Sequence, residues 1–157
     1  MIKKEKTRKI MKYSRHVMPL LLAFWAGLVS AISFFEAWLK FRAEGVTLKI
    51  GLSIGKLVFT SLNRVEVVLL VLVWTIMLIQ EKQDLLRITS LHTMWWIVTC
   101  ILSLQTVWLL PAMVDRAEQI IAGTQLQGSN LHFWFGAFEV IKVSLLIAIS
   151  LRYKKIA

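Results

Sequence analysis

Cysteine, histidine and acidic residues are scarce in this 157-residue chain. The single cysteine, Cys100, excludes an internal disulfide and any multi-cysteine metal site. In the middle of an apolar run it reads as an inert small apolar residue. There are three histidines, His16, His92 and His132. A bis-histidine haem needs two imidazoles facing each other in the bundle. His92 and His132 each start an apolar segment, so in antiparallel consecutive helices they lie on opposite faces, about a membrane apart, and His16 lies beside the basic N-terminal run. No cofactor is predicted. There is no G-x-S-x-G and no histidine placed to activate Cys100, so nucleophilic catalysis has no signature. No sequence repeat and no low-complexity segment is present. Nine Asp and Glu face nineteen Lys and Arg, for a formal charge of +10, but no nucleic-acid recognition module accompanies that charge. Nucleic acid is therefore not an expected partner.

Apolar residues are abundant. They make up 57% of the chain, and mean hydropathy is +0.67, against about 45–50% apolar in soluble domains. About 20 apolar residues in a helix cross roughly 30 Å of hydrocarbon, and four runs reach that length: Val17–Leu39, Leu57–Ile79, His92–Val114 and Leu131–Leu151. The expected fold is all-α, an integral membrane bundle of four transmembrane helices in up-down order. The whole of 1–157 forms one membrane domain with no room for a second, soluble one. Residues 1–16 form a basic tail. A basic start followed by an apolar run also describes a signal peptide, but this run is too long and lacks a clean small-x-small cleavage site. Glycines 51 and 55 continue a four-residue step into Phe59 and Asn63, so the second helix is expected to begin near Thr47. Pro111 should kink or end the third helix, with a further turn or two to Gly123.

Charge sets the orientation. Seven basic residues precede residue 16, Lys82 and Arg87 lie in the middle turn, and Arg152, Lys154 and Lys155 close the chain: twelve on the side of the termini. Lys40, Arg42, Lys49, Lys56 and Arg116 make five on the other side. The positive-inside rule then places both termini in the cytoplasm of a cell with this protein in its inner or plasma membrane. The basic tail is expected to touch anionic lipid.

Ionisable residues inside spanning helices are costly unless paired, hydrated or functional. On the last helix His132, Gly136 and Glu139 share one narrow face, with Lys142 at its edge. Glu36, Asn63, Arg64, Glu66 and Asp115 come from the other three helices at a similar depth. Together these eight, Glu36, Asn63, Arg64, Glu66, Asp115, His132, Glu139 and Lys142, are expected to form an outward-facing polar pocket that binds a ligand or carries protons or ions. The plain alternative is structural: Lys142 pairs with Glu139 one turn away to fix helix register, while Glu36 and Arg64 reach the headgroups. A metal held by His132, Glu139, Glu66 and Asp115 would lack a tight ligand motif. Two small-residue stripes, Ala23/Gly27/Ala31 and Gly51/Gly55, suit close packing inside one bundle or a homodimer contact.

Trp108-Leu109-Leu110-Pro111 with Arg116 shortly after, and His132 with a polar residue seven positions on, resemble the small membrane proteins grouped with transmembrane protein 205, a family without assigned activity. Trp25-Ala26-Gly27 in the first span is a looser match. Some relatives have asparagine at the position of Glu139, so this chain's pocket is more acidic. The resemblance implies four helices and no established activity.

Three functions fit the residues. The first is handling of a small ion, solute or lipid headgroup by a transporter or membrane-embedded binding protein. The second is a membrane scaffold whose buried charges are structural. The third is an intramembrane enzyme using Glu139 or Glu66 as general base, with Lys142 or Arg64 stabilising an anion.

Overall fold

The computed structural model describes residues 17–81 and 89–156, with side chains described for 17–78 and 91–153. The basic tail 1–16, the polar turn 82–88 and Ala157 lie outside the described residues. Four helices are long and apolar enough to cross a membrane. Helix α1 is Val17–Arg42, α2 is Leu48–Glu81, α3 covers 89–121 and α4 is Leu131–Ile156. Among the described residues there is no strand. Each helix packs on the next in the chain, and α4 closes the ring on α1.

One spacing repeats in every helix. The buried residues include Met18, Leu22, Trp25 and Val29 on α1; Leu62, Glu66, Leu69 and Val73 on α2; Leu91, Trp95, Val98, Leu102, Gln105 and Leu109 on α3; and Phe135, Glu139, Lys142, Leu146 and Ile149 on α4. Steps of three and four alternate, which is the seam of a coiled-coil-like bundle. Much of the surface outside the seam is still apolar: Leu20, Phe24, Val68, Val71 and Val107 are all exposed. The charged side chains Glu66, Glu139 and Lys142 are buried instead. That pattern is inverted relative to a protein in water. It is what hydrocarbon demands, because lipid solvates the apolar faces and only the bundle interior can hold polar groups.

The helices run further than their apolar parts. At 1.5 Å per residue α2 is about 51 Å long, against roughly 30 Å of hydrocarbon. Leu48 starts α2 immediately after Thr47. Pro111 neither ends nor breaks α3. A π-helical turn, Gln105–Leu109, precedes it, and the N–H of Leu110 bonds the carbonyl of Gln105 five residues back. The wider turn absorbs the re-registration that proline imposes. The helix continues to Ile121 and ends at Gly123, whose φ of +100° favours glycine. Gly123 N–H donates to Ile120 O and Thr124 N–H donates to Gln119 O, which together form a Schellman cap.

The two small-residue stripes separate. Ala23, Gly27 and Ala31 are exposed, and a Cβ on Gly27 would meet nothing within 4 Å. Gly51 and Gly55 are buried, because the end of α1 folds over them. A Cβ on Gly51 would lie 2.1 Å from the Phe41 ring, and one on Gly55 would lie 3.0 Å from Lys40 Nζ. Accordingly, Gly51→Ala displaces Phe41 and costs about 1–3 kcal/mol, the usual cost of overpacking, whereas Gly27→Ala stays within about 0.5 kcal/mol of the parent. Thermal unfolding in detergent measures both.

Candidate functional site

Halfway along the bundle all four seams carry a polar side chain. α1 supplies Trp25, α2 Glu66, α3 Gln105, and α4 both Glu139 and Lys142. Each occupies a position that the three-four spacing assigns to the core, so each must point inward. Lys142 and Glu139 are three residues apart on α4, within reach of each other on one helical face.

The Lys142 ammonium organises the group. Its Nζ lies 2.7 Å from Glu66 Oε1, donates to Gln105 Oε1 at 2.9 Å and donates to Glu139 Oε1 at 3.1 Å. The ammonium thus hydrogen-bonds acceptors on α3 and α4 and is ion-paired with a carboxylate on α2. Gln105 Nε2 also donates to Glu139 Oε1, at 3.1 Å. Trp25 Nε1 donates to Glu66 Oε1 at 2.9 Å, which ties α1 to the layer. One turn away on α2, Asn63 Nδ2 donates to Thr106 Oγ1 at 2.9 Å, the residue after Gln105.

None of these four side chains reaches the surface: Lys142, Glu139 and Gln105 are 0% exposed and Glu66 is 1% exposed. Isolated charges could not survive there, since burial without partners would be prohibitive. The charges do not balance, however. Two carboxylates face one ammonium, so the fully ionised group carries −1 and one added proton makes it neutral. One oxygen reflects the surplus: Glu139 Oε2 is buried with no hydrogen-bond partner.

The eight expected site residues do not form one pocket. Glu66, Glu139 and Lys142 come together, and Asn63 adjoins them. Glu36 instead pairs with Lys40 on its own helix at 3.3 Å. Arg64 is exposed on α2. Asp115 is exposed and accepts from Gln119. His132 is exposed, with its ring edge-on to Phe59 at 6.5 Å. Arg64 and Asp115 lie outside the layer because their helical phase differs from the seam. His132 shares the phase of Glu139 but sits seven residues, about two turns, further out, and Glu36 lies eleven residues along α1 from Trp25. The same dispersal removes the four-ligand metal set, and among the described residues no three His, Cys, Asp or Glu side chains converge for a metal. Gln105 and Trp25 were missed as site residues. A search restricted to charge passes over an amide and an indole. Any hydrogen-bonding side chain in phase with the seam would have disclosed both.

No family model matches the chain, and no curated protein or solved structure matches it.

Removing the ammonium leaves two buried carboxylates facing one another. Lys142→Met therefore lowers stability by about 3–5 kcal/mol, as for other broken buried pairs. Glu139→Gln keeps the Lys142–Glu66 pair and an acceptor oxygen, so it costs about 1 kcal/mol. Unfolding titrations in detergent distinguish the two.

Proposed function

We propose that this multi-pass membrane protein handles a small ion, and that the ion is a proton taken up by the Glu66–Lys142–Glu139 layer. One observation carries the reading: the second carboxylate, with its partnerless Oε2 buried beside an ammonium that already has a counter-ion. A register lock needs only Lys142 and Glu66. Carboxylate groups inside spanning helices are the usual parts of proton relays in pumps and transporters. The layer is sealed in this conformation, so proton exchange belongs to a second arrangement of the helices, in which α4 opens relative to α2 and α3. In this reading the protein is a proton-linked transporter in an inner or plasma membrane, with both termini cytoplasmic as the twelve-to-five charge asymmetry directs.

A second reading has its own support. Lys142 Nζ contacts acceptors on three helices, which is the geometry of a device that fixes register and partner order. On that reading the protein is a scaffold, and the cluster has no activity to lose. The resemblance to transmembrane protein 205 fits either, since it assigns no activity.

Reconstitution separates them. Vesicles holding the protein and a pH-sensitive dye are challenged with gradients of small ions and solutes. At least one gradient drives proton movement through the native protein. Glu139→Gln assembles and inserts normally but loses that movement. Full-rate movement by Glu139→Gln would sink the proton reading, and a native protein silent to every gradient would favour the scaffold.

A further inference from the structure

A second feature lies at the end of the bundle opposite the chain termini, away from the buried layer. A cavity of about 100 Å³ opens where the ends of all four helices meet. Its floor is apolar, with Phe59 and Leu110 buried and Met113 beside them. Every ionisable group lining it is basic or an imidazole: Lys40, Lys56 and His132. No carboxylate lines it.

The pocket is built into the fold. Gly51 and Gly55 let the last turn of α1 fold close over α2, which carries Lys40 over the floor. The Lys40 side chain is only 9% exposed, and its Nζ donates one hydrogen bond to Glu36 Oε2 at 3.3 Å. Its Nζ also lies near the rings of Phe41 at 5.6 Å and Phe59 at 5.2 Å, so the aromatic faces add to the Glu36 pairing, and N–H donors remain beyond the one given to Glu36. Lys56 pairs with Glu118 at 2.9 Å, but both are open to solvent, at 35% and 57%. An exposed pair of this kind is weak and exchangeable. Around the same end Trp38, Phe133 and Trp134 are exposed, as aromatic residues are at a membrane interface.

We propose that this pocket binds the phosphate headgroup of an anionic phospholipid of the surrounding bilayer. Lys40 and Lys56 donate to the phosphate oxygens, His132 closes the rim, and the glycerol end of the molecule rests on Phe59 and Leu110. The cavity is smaller than the roughly 150 Å³ apolar site that admits benzene, so the acyl chains run outside it, along the bundle in the lipid. This inference does not rest on the proton reading: the two sites share no residue.

Native mass spectrometry of the full-length protein in neutral detergent tests it, because bound lipid is read on the folded fraction alone. Phosphatidylglycerol binds with one tight site, while phosphatidylcholine and inorganic phosphate do not compete for it. Lys40→Gln weakens phosphatidylglycerol binding by about tenfold or more, the loss of one charge-assisted hydrogen bond. Lys56→Gln, on an exposed side chain that the fold does not need, weakens it as well. Glu139→Gln binds lipid as the native protein does, which keeps the outcome separate from that of the proton assay. Equal binding of phosphatidylcholine would overturn the proposal, as would competition by inorganic phosphate, which would make the site one for a free anion. So would undiminished binding by Lys56→Gln, even if Lys40→Gln fails to fold.

Discussion

One ammonium holds the middle of this bundle together. Lys142 Nζ sits within 3.1 Å of acceptors on three helices, and the indole of Trp25 brings in the fourth through Glu66. In water such an arrangement would compete with hydration and contribute little. In a bilayer there is no solvent to turn to, so the polar groups must find one another. Sliding α2 or α4 by one turn would strand a charge in hydrocarbon, and sliding α1 or α3 would take a hydrogen-bond partner from one. The apolar seam above and below the layer is permissive by comparison, since lipid solvates Leu as well as another helix does.

The two ends of the molecule use different physics around that centre. On the side of the termini, Trp25, Trp74 and Trp95 pack edge to face at 5.9 and 6.3 Å. Ser150 Oγ there donates to Pro19 O across α4 and α1 at 2.9 Å. At the other end the helices part around an open basic pocket. Two π turns lie between centre and pocket, at Ala31–Glu36 on α1 and Gln105–Leu109 on α3. The second places Gln105 in the polar layer and also carries the chain past Pro111. Irregular turns of this kind recur at functional positions.

Much of the architecture was legible in the sequence. Four apolar runs, a basic tail and short polar turns suffice for an all-α bundle, because the bilayer leaves few alternatives. Gly123 could be read as a helix stop because a cap needs φ > 0. The site was legible only in part. Glu139, Lys142 and Glu66 stood out as charges in hydrophobic runs, but depth was used as the criterion for convergence. Helical phase and exact axial position both decide: Arg64 is only two residues from Glu66, yet it faces outward, and His132 is in phase with Glu139 but two turns further out. Gln105 is uncharged and fell below notice. Gly51 and Gly55 were visible as a stripe, but what they admit, the Phe41 ring and the Lys40 stem, arrives from another helix, and no local pattern encodes that. Pro111 does not end the helix, and the chain runs on to the stop at Gly123. The proline's cost to a helix is real, but one wider turn upstream absorbs it.

The central claim is that the buried layer is loaded with a proton and is more than a fixed ion pair. Infrared spectra of the protein in lipid, recorded across a pH range, test it most directly. The account predicts one protonated-carboxyl band that appears and disappears with pH in the native protein and is absent from Glu139→Gln, with the amide bands unchanged. A native protein whose carboxyl bands do not respond to pH, or an identical band in Glu139→Gln and Glu66→Gln alike, would contradict it and leave the layer a structural lock.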